Sequence, residues 1–178
     1  MTKKEEALVE QYAKSLVEVA NEHQVVDQIK QDVLALLETF DVTKLDTILS
    51  SLTASQAEKQ ELIRLLKDPS SVYLNNFLEL IILNGREALL HEILKKTITV
   101  IAQETKEFDV TITSTVPLSE EQKQKVIAIV ESKFGLRTDC LIEKIDESLI
   151  GGFILTVNNK VIDTSIRRQL QEFKMNLL

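Results

Sequence analysis

The spacing of apolar residues changes once along this chain, near Thr105, and that change decides what it can fold into. Before Thr105 the apolar side chains recur every three or four residues, which gathers them on one side of a helix; after it they alternate, as on a strand with one buried face. Such a chain builds helices first and a mixed α+β layer second. Four Gly and two Pro in 178 residues leave little for a loop-rich all-β fold, which supports the helical reading.

Six helices are expected before the change. Thr2 and Glu5 make a capping box for the first, with Leu8, Val9, Tyr12, Ala13, Leu16, Val19 and Ala20 in helical period to about Asn21. The second carries Val25, Val26, Ile29, Val33, Leu36 and Leu37. Asp41 or Thr43 is expected to start a short third helix through Leu45, Ile48, Leu49 and Leu52. Ser55 and Glu58 cap the fourth, which uses Leu62, Ile63, Leu65 and Leu66. Asp68 and Pro69 are expected as cap and first-turn proline of the fifth, from Val72 to Leu83, with Asn84 and Gly85 as its stop. The sixth runs from Arg86 to about Gln103.

The remainder is expected as β-α-β-β-β-α. Phe108, Val110, Ile112 and Val116 alternate with polar residues; Ser119 and Gln122 cap a helix ending at Gly135. Strands follow at 138–145, 152–157 and 160–163, the last two joined by Asn158 and Asn159. The final helix shows Ile166, Leu170, Phe173 and Leu177 on a narrow stripe expected in the core. The fold class is therefore mainly α with a small α+β part, divided as 1–104 and 105–178.

Chemistry is sparse. The net charge of −7 sets the chain against phosphate surfaces, so neither nucleic acid nor an anionic bilayer is an expected direct partner. The single cysteine, Cys140, excludes an internal disulfide and is expected as a small buried strand residue. His23 and His91 are too far apart for a histidine zinc pattern; His23 is expected in packing or as a C-terminal cap, and His91 as a solvated or interhelical residue. Gly151 and Gly152 lack phosphate-loop spacing and are expected in a tight turn before a strand. Glu143, Asp146 and Glu147 lack the calcium-loop pattern and are expected as a solvated strand end. Catalytic residues, cofactor and metal are all expected to be none. No apolar run approaches the roughly 20 residues of a membrane span, and the N-terminus lacks the features of a signal or transit peptide. A cytosolic character follows, with any membrane association indirect.

Binding surfaces are better marked. Tyr73, Leu74, Phe77, Leu78, Leu80, Ile81 and Ile82 cover an arc of about 200°, twice what one-sided packing needs. The fifth helix is then either central or keeps a flank, Leu78 and Ile82, for a partner. On the first helix, Val9, Ala13, Val17 and Ala20 form a flank of smaller residues. That flank suits a tight internal helix pair or, with the fifth helix, a groove for an incoming amphipathic helix. On the last helix Arg167, Arg168, Gln171 and Lys174 give a basic side to an acidic protein. It is either a solvated face or a dock for an acidic partner.

Residues 146–155 (DESLIGGFIL) and 161–170 (VIDTSIRRQL) resemble the C-terminal signature of a known family, in which a Gly-containing strand leads to a V-x-D-x-S-x-R-x-x-L helix start. Residues 12–16 (YAKSL), Phe77, Leu78 and Leu80, and Asn84, Gly85 and Arg86 extend the likeness over nearly the whole chain. The family is that of the delta subunit of bacterial F-type ATP synthase, related to the mitochondrial oligomycin-sensitivity-conferring protein. Thr164 departs from it where many members carry Gly. The resemblance implies a peripheral-stalk subunit without an active site, joining the catalytic head to the membrane sector. It implies that the N-terminal bundle takes an alpha-subunit N-terminal helix in a groove including Val9, Ala13, Val17, Ala20, Leu78 and Ile82. It implies that the C-terminal part meets the b subunits, for which Arg167, Arg168, Gln171 and Lys174 are the candidates. One copy per complex, a monomer in isolation and a peripheral place on the cytoplasmic face of the membrane go with it. An enzyme with a carboxylate site at Glu143 or Asp163 and a generic helical adaptor in another assembly stand as the alternatives.

Overall fold

A computed structural model describes residues 1–51 and 53–176, with eight α-helices and four strands among them. The chain divides into two units, Met1–Ile101 and Ala102–Leu178. It is mainly helical with a small four-stranded sheet near the C-terminus, the order that the change of period predicts.

The first unit holds α1 (Lys3–Glu22), α2 (Val26–Thr43), α3 (Leu45–Ser50), α4 (Gln56–Leu65), α5 (Val72–Leu83) and most of α6 (Leu90–Thr105). The capping boxes form as expected: Glu5 N–H donates to Thr2 Oγ1 at 3.3 Å and Thr2 N–H to Glu5 Oε2 at 2.7 Å. Ser55 and Glu58 repeat the pattern on α4. Each such cap satisfies orphan amides and is worth about 1 kcal/mol.

Three helix starts differ from expectation. Neither Asp41 nor Thr43 starts a helix, because α2 continues the period Ile29, Val33, Leu36, Phe40 into the core and stops only where Lys44 turns left-handed (φ 55°). The last expected member of α3, Leu52, lies outside the described residues. Asp68 does not cap α5: its carboxylate is taken locally by the N–H of Ser70 at 2.8 Å and the hydroxyl of Ser70 at 2.7 Å, and α5 starts at Val72. Ser71 instead donates its hydroxyl to Asp32 and so pins α5 to α2. A 3-10 turn (Glu87–Leu89) precedes α6.

Leu16, Ile29, Val33, Phe40, Leu49, Ile63, Leu78, Ile81 and Ile93 form one core, and the ring of His91 stacks on Phe40 with centroids 5.0 Å apart.

The second unit holds β1 (Glu107–Ser114), α7 (Glu120–Phe134), β2 (Arg137–Ile145), β3 (Phe153–Val157), β4 (Lys160–Asp163) and α8 (Ile166–Asn176). The sheet order is β2-β1-β3-β4, parallel between β1 and β2 and antiparallel elsewhere. Val126 and Val130 of α7 close a core with Val110, Ile112, Leu155 and Val157. Asn158 and Asn159 both take positive φ (43° and 61°), as a two-residue hairpin turn requires.

Cys140 is exposed, not buried. The register explains it: Phe108 pairs with Thr138 but Val110 pairs with Leu141, so β2 carries an extra residue there and its alternation slips.

Candidate docking surfaces

Glu143, Asp163, His23 and His91 each have a structural neighbour. Glu143 accepts from Leu118 N–H at 3.2 Å and from Lys123 Nζ at 2.7 Å, joining β2 to the start of α7. The ammonium and that amide hold its carboxyl below the usual value of 4.5. Asp163 accepts from Ser165 N–H at 2.9 Å and is likewise lowered, chiefly by the Ser165 side chain and amide. A catalytic acid requires the opposite shift. His23 stacks on Tyr73 with centroids 4.6 Å apart. His91 Nδ1 lies 4.0 Å from Asp46 Oδ2. Among the described residues no cluster of metal-ligating side chains forms.

Glu143 gives an acid-stability prediction. A carboxyl lowered by folding contributes stability above its unfolded value and loses it as the pH falls through the folded value. Glu143→Gln should therefore lower the Tm at neutral pH, and the gap to the parent chain should narrow progressively as the pH falls below 4.5. Calorimetry at several pH values checks this.

The six residues expected to line a groove are interior: Val9 and Ile82 are 4% exposed and Ala13, Val17, Ala20 and Leu78 0%. The small-residue flank of α1 is not open, because Ala13 and Val17 pack against Val100 and Ile101 of α6. Small side chains let two helices approach closely, so the flank serves an internal pair. Leu78 and Ile82 belong to the central core, so α5 is the central helix its wide apolar arc allows.

What α1 and α5 leave at the surface is the edge of their seam. Tyr12 meets Phe77 edge-on at 6.4 Å, and His23 stacks on Tyr73. At 100° per residue Val19 shares the face of Tyr12 and His23, and Leu80 that of Tyr73 and Phe77. Tyr12 and Tyr73 are half-buried, Val19 is 38% exposed and Leu80 43%. Their period alone does not separate such rim residues from core ones, which is why the sequence pointed to the deeper flank.

On α8 the expected core stripe faces outward: Ile166 is 42% exposed, Leu170 55% and Phe173 69%, while Leu177 lies outside the described residues. Among the described residues, the hydrogen bonds that tie this helix to the rest of its unit lie at its start, where Ile166 N–H donates to Gly151 O at 3.0 Å and Arg167 Nη1 to Ser148 Oγ at 3.1 Å. The buried Ser165 completes that anchor, and every side chain described from Ile166 to Met175 is exposed. Arg167, Arg168, Gln171 and Lys174 are all exposed; Arg168 Nε pairs with Glu172 at 2.8 Å. The departure at Thr164 is accommodated, its hydroxyl donating to Phe153 O at 2.9 Å.

The chain is a helical unit followed by a small mixed unit, each with apolar side chains at its surface. The sequence profile of the ATP synthase delta (OSCP) subunit family matches residues 8–177, and the chain belongs to that family. It is 61% identical over 177 residues to the ATP synthase subunit delta of Streptococcus pyogenes serotype M3 (strain SSI-1), covering 99% of each chain. The same subunit of serotype M3 strain ATCC BAA-595 / MGAS315 is 60% identical over the same length. The fold is shared with a chain in a cryo-EM structure of the Toxoplasma gondii mitochondrial ATP synthase hexamer, with a TM-score of 0.65, 20% identity and coverage of 96% of this chain and 97% of that one. No helix among the described residues is long and apolar enough to cross a membrane.

Proposed function

We propose that this chain is a non-catalytic stator link: residues 1–104 hold the N-terminal helix of an ATP synthase alpha subunit, and residues 105–178 hold the C-terminal ends of the b subunits. One copy serves each complex, at the cytoplasmic face of the membrane, and the chain touches the membrane only through its partners. The observation that carries this reading is α8, 11 residues long with its apolar stripe exposed. A helix that short is marginal in water by itself, and a partner helix laid on the stripe removes both problems. Arg167, Arg168, Gln171 and Lys174 border the stripe as the b-subunit contacts.

For the alpha subunit, the groove is the rim of the α1–α5 seam, with Tyr12, Val19, Tyr73 and Leu80 in contact and the six interior residues shaping it from beneath. The mechanics suit such a part. Rotation of the central shaft drags the catalytic head with it, and torque becomes conformational work only if the head is held to the membrane sector. That calls for two tight interfaces on one chain and no chemistry of its own.

Titration calorimetry of an alpha-subunit N-terminal peptide into the full chain tests this. A nanomolar interface corresponds to about −12 kcal/mol and gives clear heat at micromolar concentration. Leu80→Asp should weaken binding by about tenfold or more while leaving the Tm nearly unchanged, since the side chain is 43% exposed. No heat with the unmodified chain, or failure to co-purify with the membrane ATPase, overturns the reading.

A further inference from the structure

We propose that Ile150 is the anchor of the C-terminal docking surface, held outward by a left-handed turn so that its side chain enters the apolar seam of an acidic, amphipathic partner helix. This rests on the reading that the second unit grips the b subunits, and it names the residue and the partner chemistry that reading leaves open.

Ile150 sits at φ 66°, ψ −31°, a region that β-branched residues avoid because Cβ crowds the backbone. It is also 67% exposed. Folding the chain alone gains nothing from it: the side chain stays in water and the backbone is strained. An unconstrained turn is better served there by Gly or Asn.

The neighbours explain how the position is forced. Leu149, 1% exposed, is fixed in the interior. Gly151 lies beneath Ile166, so closely that a Cβ on it would fall 2.7 Å from Ile166 Cδ1. The chain passes from a buried leucine to a glycine packed under α8 within two residues, and the residue between them is turned out. Among the described residues Ile150 is the one β-branched side chain at positive φ, and strain of that kind persists only where the surroundings enforce it, as it does at ligand clamps and switch regions.

Gly151 touches Ile166, the first residue of the stripe Ile166, Leu170, Phe173, so the exposed apolar surface of α8 continues into the turn that carries Ile150. The rim of that surface gives the partner's charge. On α8 Arg167, Arg168 and Lys174 stand against one carboxylate, Glu172, in a chain whose net charge is −7. Among the described residues neither Arg167 nor Lys174 forms an ion pair: Asp146 and Asp163 feel the charge of Arg167, but their carboxylates are taken by the N–H groups of Ser148 and Ser165, and Arg167 itself reaches back to Ser148 in the same turn as Ile150. A helix with an apolar stripe flanked by Asp or Glu fits both features.

The test uses the full chain and the soluble C-terminal half of the b subunit in titration calorimetry. Ile150→Gly should keep or raise the Tm, because glycine accepts the positive φ, and should weaken binding at least about tenfold. Ile150→Asn, which tolerates the same backbone, should weaken it similarly. Opposite signs for stability and affinity in one variant establish an anchor. Unchanged affinity in either variant while the parent chain binds overturns the anchor alone, as does a Tm drop of several degrees in Ile150→Gly, which marks a structural role. A parent chain that gives no heat overturns the b-subunit reading and the anchor with it.

Discussion

Gly152→Ala is expected to cost the C-terminal unit about 2–5 kcal/mol, adding the strain of a non-glycine residue at positive φ to that of an overfilled contact. Gly152 has φ 77°, and a Cβ there would lie 2.4 Å from Thr164 O, 3.0 Å from Ser165 Cα and 3.1 Å from Thr164 C. All three are backbone atoms, so no side chain can rotate out of the way. The segment they belong to is itself fixed: Thr164 N–H donates to Phe153 O at 2.9 Å, and Ser165 is 1% exposed. Opening the gap therefore moves the start of α8 off the first residue of β3. At about 4–8 °C per kcal/mol for a unit of this size, the Tm should fall by about 8 °C or more. Gly135 supplies the control. It too has positive φ (64°), but nothing lies within 4 Å of its added Cβ, so Gly135→Ala should cost only about 1 kcal/mol. Urea midpoints of the two variants separate the contact from the φ effect, and faster amide exchange in β3 and β4 of Gly152→Ala locates the damage. Equal losses would mean that the Thr164 contact carries no weight.

What was legible in the sequence follows from how local its cause is. Caps and periods depend on residues within one turn, so Thr2, Ser55 and Ser119 open helices and the 3.6-to-2 change of period near Thr105 marks where helices give way to the sheet. The errors lie where a distant element decides. Cys140 alternates as a buried residue until a bulge against β1 slips the register. The stripe of α8 has the pattern of a core helix, and a pattern records amphipathicity without saying whether the covering surface belongs to the same chain. Ile150 is invisible to periodicity altogether, since its conformation is imposed by Leu149 on one side and Ile166 on the other.

The flank of α1 is the sharpest case, because its two readings give opposite results for one substitution. Ala13→Leu would fill an open groove and block a partner helix without harm to the fold. Ala13, however, is 0% exposed and packed with Val17, Val100 and Ile101, so three further carbons have nowhere to go. The added bulk must push α6 from α1 or force side chains from their rotamers, at a cost of about 1–3 kcal/mol. The expected result is a Tm lowered by about 5–20 °C, with peptide affinity of the chain that remains folded reduced less than by Leu80→Asp. That order distinguishes an interior contact from a binding surface more directly than either measurement alone. A Tm left unchanged together with abolished peptide binding would return the small-residue flank to the surface and make α6 a removable cover.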